Sequence, residues 1–78
     1  MRDRITKEEI GKWLDRIKNE LKNIKATGKK AEELLENIKA YVSDCEHWMK
    51  EEDYVLGFES VIWAWAWYEI GKELRLIH

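Results

Sequence analysis

AEELLENIKAYVSDCEHWMKEEDYVLGFESVIWAWAWYEIGKEL, residues 31–74, decides the fold. Apolar residues first recur with a three-four rhythm: Ala31, Leu34, Leu35, Ile38, Tyr41, Val42, Cys45, Trp48 and Met49. That spacing places one apolar stripe on a helix. The charged break Lys50-Glu51-Glu52-Asp53 follows. Asp53 is a residue type that caps a helix N-terminus by accepting from its free backbone N–H groups. A second helix therefore begins at Tyr54. Its main stripe is read as Leu56, Ser60, Trp63, Trp67, Ile70 and Leu74, with a small-residue seam at Gly57, Ala64 and Gly71. Glycine inside a helix costs about 1 kcal/mol relative to alanine, so two glycines on one line point to close approach of a neighbour.

Working outward toward the N-terminus, Ile10, Trp13, Leu14, Ile17, Leu21 and Ile24 form a third helical stripe. Thr6 and Glu9 have capping-box spacing, and Ile5 and Ile10 are placed for a hydrophobic staple. Gly28 is read as the left-handed residue that closes this helix. The expected helices are thus about 6–25, 29–51 and 54–76, within one domain of residues 1–78. Both connections are short, so consecutive helices run antiparallel. The fold class is all-α, an antiparallel up-down-up three-helix bundle. In the corresponding register Tyr41 meets Trp63 across the second turn, while Trp13, Ile17 and Ile24 lie beside Trp63, Trp67 and Leu74.

The stretch from Ala31 to Ile77 resembles a small archaeal family, domain of unknown function number three hundred and fifty-seven. The similarity lies in Ala31-Glu32-Glu33-Leu34-Leu35, Tyr41-Val42-Ser43-Asp44 and Asp53-Tyr54-Val55, then Trp63-Ala64, Trp67, Gly71 and Leu74. The chain departs from the family's usual residues at Trp63, Ala66, Tyr68, Glu69 and Ile70. The resemblance implies an archaeal source and a helical bundle. It implies no activity.

Composition narrows the function classes. Seventy-eight residues are near the lower limit for a self-sufficient core. One cysteine permits no intrachain disulfide and fits a reducing, cytoplasmic setting. The uncharged run Ser60–Tyr68 is too short to span a bilayer, and no apolar leader follows Met1, so neither a membrane anchor nor a signal peptide is expected. Net charge is −2, unevenly spread: residues 1–30 are basic and residues 31–78 acidic.

The chemistry-bearing residues do not assemble a reaction centre. Cys45 and His47 are two apart on a helix and point about 200° from each other, and a zinc site needs four converging ligands. No metal or other cofactor is expected, and Cys45 is read as a small buried hydrophobe. Gly28-Lys29-Lys30 lacks the earlier glycine of a phosphate loop, because Asn23 stands there. Arg75 and His78 are closer together than in the motif of HEPN nucleases, and read as a fraying polar tail. No catalytic constellation is found, and enzymatic activity is not expected.

Three surface features remain. Phe58, Ile62 and Trp65 recur at helical spacing away from the expected core stripe, and are read as a candidate interface, most simply for a homo-oligomer and otherwise for an unidentified protein partner. Tyr41, Asp44, Ser60 and Glu69 are read as a candidate polar fringe. Lys18, Lys22, Lys25 and Lys29 form a stripe at helical spacing, the alternative being a nucleic-acid-associated role. No aromatic or arginine interleaves with that stripe, so a solvated face is the expectation there and nucleic acid is not the expected partner.

Overall fold

The computed structural model describes residues 6–78, and its three helices are α1 Lys7–Lys22, α2 Lys29–Lys50 and α3 Tyr54–Glu73. Local chemistry sets their beginnings. Thr6 caps α1 by accepting from the Glu9 backbone N–H at 3.2 Å, and its hydroxyl donates to the Glu9 carboxylate at 3.1 Å. The staple expected from Ile5 lies outside the described residues. Asp53 caps α3 by accepting from the Leu56 N–H at 3.0 Å.

The far ends of α2 and α3 share a different device. Glu52 and Arg75 both adopt left-handed backbone, at φ 59° and 60°. At the first, Glu52 N–H donates to Met49 O and Asp53 N–H to Trp48 O. At the second, Arg75 N–H donates to Lys72 O and Leu76 N–H to Gly71 O. This is the Schellman arrangement, which pairs otherwise unsatisfied carbonyls at a helix end and usually employs glycine at the left-handed position.

Three boundaries differ from expectation: α3 ends at Glu73 and not near 76, closed by the left-handed backbone of Arg75, and the other two lie between α1 and α2. α1 ends at Lys22 with Asn23 as its cap, and Gly28 (φ 98°) opens α2 instead of closing α1. The C-terminal tail supplies the reason. Lys25 and His78 exchange both backbone hydrogen bonds, at 2.6 and 3.0 Å, and Ala26 bridges Ile77 in antiparallel fashion. The linker after α1 is therefore drawn out to pair with the tail. The tail does not fray, because Ile77 is only 1% exposed and joins the core.

The up-down-up bundle follows from the contacts. α2 and α3 form the close-packed hairpin, with Tyr41 stacked on Trp63 (centroids 6.4 Å, planes 23° apart), as the register anticipates. α1 lies more loosely across them. It runs parallel to α3, since Trp13 meets Trp65 and, further along both helices, Glu20 meets Tyr68. Lys18 and Glu46 tie α1 to α2 by an ion pair at 2.8 Å.

The core corrects the reading of α3. Its buried face is Gly57, Val61, Ala64, Tyr68 and Gly71, together with Ile10 and Ile17 of α1 and Ala31, Ile38, Val42 and Cys45 of α2. Trp63, Ile70 and Leu74, assigned to the core stripe, are exposed, and Trp13 is exposed on α1. Trp67 packs against the core only at its edge. The stripe lies one residue later than expected, a rotation of about 100°. The small seam explains it. A Cβ on Gly57 would sit 3.1 Å from Met49 Sδ, and one on Gly71 2.6 Å from Leu34 Cδ2. α2 seats itself on the small residues, and the tryptophans move to the flanks. Trp13 consequently meets Trp65 and not Trp63.

Candidate functional site

With α3 turned this way, its outer face is the surface that a single bundle leaves uncovered. Two neighbouring lines, one of Val55, Glu59, Ile62 and Ala66 and one of Glu59, Trp63, Ala66, Ile70 and Leu74, each step by three or four residues and together make that face. Val55, Ile62, Trp63, Ile70 and Leu74 are between 39% and 75% exposed. From Val55 to Leu74 the face runs about 28 Å at 1.5 Å per residue. α3 is thus apolar on both sides, whereas a surface helix ordinarily turns a polar face to solvent.

The structure divides the three residues first read as an interface. Ile62 is exposed on the outer face. Phe58 and Trp65 are not on it: both are partly buried and pack against the core. Trp65 is the hinge of an aromatic cluster between α1 and α3. Its indole N–H donates to the Trp13 carbonyl at 3.1 Å, and its ring stands edge-on to Trp13 at 6.0 Å and to Tyr68 at 5.5 Å. The error has one cause: the residues opposite the wrong stripe are partly the flank of the right one. The glycine-alanine seam, expected only as a second seam beside the main stripe, is the centre of the buried face, and it is the sequence signal that identifies the outer one.

The candidate polar fringe does not converge into a pocket. Tyr41 is engaged in its stack with Trp63, and Asp44 is exposed. Ser60 donates to the Leu56 carbonyl of its own helix at 2.9 Å. Glu69 is exposed at the other end of α3 and lines a shallow depression with Ile70, Glu73 and Leu74. The lysine stripe is also broken. Lys18 is paired with Glu46, Lys22 is the last residue of α1, Lys25 lies in the tail-bound linker, and Lys29 opens α2. Four lysines on one continuous helix would require α1 to continue past Asn23. Cys45 is buried, while His47 is exposed with its ring against Trp48 at 4.7 Å.

Among the described residues three groups have altered proton affinity: Lys18, raised by its hydrogen bond to Glu46 and the charge of that carboxylate, and two groups that belong to the core. Burial pushes the Cys45 thiol up to about 11, with Glu46 adding to the effect. Burial also raises the Tyr68 phenol to about 12, helped by its 2.9 Å hydrogen bond to the Glu20 carboxylate. Lys72 lies over the Tyr68 ring, 5.3 Å from its centroid. Each raised value means that the folded state holds its proton more tightly than the unfolded chain. The contribution of the two core groups to stability should therefore be fully present below about pH 9, fall as pH rises through the Cys45 window from about 9 to 11, and fall further through the Tyr68 window from about 10 to 12. Urea titrations at stepped alkaline pH check this. In Tyr68→Phe the upper portion of the loss should disappear, and an unchanged profile would contradict the assignment.

The comparisons with known proteins agree with this architecture. The model of a protein family of unknown function, DUF357, matches residues 12–77. The chain belongs to the DUF357 family. A crystal structure of a DUF357 protein from Archaeoglobus fulgidus is similar to it at 42% identity, with a TM-score of 0.84, covering 92% of this chain and 90% of that one. No curated protein matches the chain. DUF357 membership therefore accounts for the helical fold, including α1 from Lys12 onward, which the sequence resemblance had not reached. The family's description, a protein of unknown function, names no activity. Among the described residues no helix is long and apolar enough to cross a membrane.

Proposed function

We propose that this DUF357 domain is a protein-interaction module that docks another protein chain on the outer face of α3. One observation carries the reading: a helix already committed to the core on one side presents Val55, Ile62, Trp63, Ile70 and Leu74 to solvent on the other. Scattered exposed hydrophobes need no explanation, but a contiguous stripe on the order of a few hundred Å2 marks an interaction surface. Trp63 is suited to be the anchor. It is large, it is held by its stack on Tyr41, and tryptophan is among the residue types that dominate interface energetics.

The test is site-specific cross-linking in the cells that make the protein. A photoreactive residue placed at Ile62 should trap one discrete cross-linked species, and the same residue at exposed Asn19 on α1 should not. The Trp63→Lys substitution should abolish the Ile62 adduct while leaving the helical circular dichroism intact. Equal yields from Ile62 and Asn19, or an adduct indifferent to Trp63→Lys, would sink the reading. Sedimentation of the purified chain shows whether the occupant is a second copy: a mass that rises with concentration and reverts with Trp63→Lys would identify self-association.

A further inference from the structure

We infer that the occupant of the α3 face is a basic amphipathic helix of a different protein, which seats a lysine or arginine side chain in the depression formed by Glu69, Ile70, Glu73 and Leu74. The inference rests on the docking reading above and names the chemistry of its partner.

The charges that α3 itself sets within and beside the stripe are acidic. Glu59 lies within the stripe itself, and Glu69 and Glu73 border its C-terminal half; all three are exposed. Among the described residues none of these carboxylates takes part in an ion pair. The only cation on α3 is Lys72, and it is drawn away over the Tyr68 ring on the side that faces α1. An apolar stripe edged by unpaired carboxylates complements a helix whose apolar stripe is edged by cations. Like charges brought together across an interface cost affinity, and opposite charges speed encounter and select the partner.

The depression gives the match a specific form. Two of its walls are the aliphatic side chains Ile70 and Leu74, and two are the carboxylates Glu69 and Glu73, one helical turn apart. A lysine or arginine carries a long methylene stem below a charged head. The stem fits against Ile70 and Leu74 while the head reaches the paired carboxylates. A purely apolar side chain would leave both carboxylates partly desolvated and unpaired, which is unfavourable.

The same charges argue against a second copy. A twofold pairing sets a patch against itself. Two α3 faces meeting in this way would bring Glu59, Glu69 and Glu73 of each copy into one interface, with Lys72 already engaged.

The probe is an 18-residue amphipathic peptide of leucine and lysine, labelled for fluorescence anisotropy. Its comparators are the same peptide with glutamate for every lysine and a scrambled peptide of identical composition. The leucine-lysine peptide should bind, weaken as salt is raised, and bind at least about tenfold more tightly than either comparator. Glu69→Lys with Glu73→Lys should weaken it by about tenfold or more, and both positions are exposed, so folding is retained. Trp63→Lys should remove binding. The inference is overturned if the acidic or scrambled peptide binds as well as the basic one. It is also overturned if the charge reversals leave affinity unchanged, or if sedimentation reveals a Trp63-dependent dimer. If the basic peptide fails while the Ile62 cross-link still traps a protein, the partner's chemistry is wrong and the docking face stands. If both fail, the docking face falls as well.

Discussion

Replacing Ile77 with alanine should destabilise the bundle by about 2–5 kcal/mol, the range for emptying a fully buried aliphatic site. Ile77 is 1% exposed and sits with Ile10, Ile17 and Ile38 in the core. It also ends the clasp in which Lys25 and His78 exchange backbone hydrogen bonds. Losing its side chain removes the apolar burial that holds the tail against the linker, so those two bonds should open with it. A domain of this size has a total stability on the order of 4–12 kcal/mol, so the loss would be a large part of it. In thermal melts it should appear as a fall of about 10 °C or more. Leu74→Ala is the control. Only three residues away, Leu74 is 63% exposed and should change stability by about 0.5 kcal/mol or less. Similar melting points for the two variants would show that the tail is not part of the cooperative core.

Gly71→Leu should cost about 1–2 kcal/mol. The first carbon of any side chain at this position would lie 2.6 Å from Leu34 Cδ2 and 3.1 Å from two carbons of Ile77. Overpacking of that kind typically costs about 1–3 kcal/mol, offset in part by leucine's better helix propensity. Because Leu34 is the closest obstacle, combining Gly71→Leu with Leu34→Ala should cost less than the two single changes added together, a coupling of about 0.5 kcal/mol or more. Gly57 gives the contrast. A Cβ there meets the sulfur of Met49 at 3.1 Å, and methionine is flexible enough to yield. Gly57→Ala should therefore be nearly neutral. Chemical denaturation of the four variants measures both claims, and strict additivity at Gly71 and Leu34 would contradict the packing described for the seam.

The helices of this protein were legible because their signals are local. Thr6 and Asp53 accept from backbone donors three residues away, and the stripes through Ile10 and Ile17 and through Ile38, Val42 and Cys45 are single faces with polar residues opposite. α3 offered no such contrast. Apolar residues surround it, so periodicity alone accommodates two stripes one residue apart, and side-chain size favoured the one containing Trp63 and Trp67. That choice rotated the candidate interface. It put Phe58 and Trp65 outside, where the structure packs them against the core, and it put Trp63 inside, where the structure exposes it on Tyr41.

The number of helices, their order, the starting caps of α1 and α3 and the pairing register of α2 with α3 were determined by the sequence itself, because each depends on residues close in the chain or on the length of a short turn. The rotation of α3, the shortening of α1 and the burial of the tail were decided only by tertiary structure. Each depends on a distance that no local pattern encodes: how closely α2 can approach Gly57 and Gly71, and whether the backbone of Lys25 finds His78 within hydrogen-bonding reach. Close packing favoured the small seam over the large one, since a helix pair gains more contact by approaching along glycine and alanine than by standing off on tryptophan.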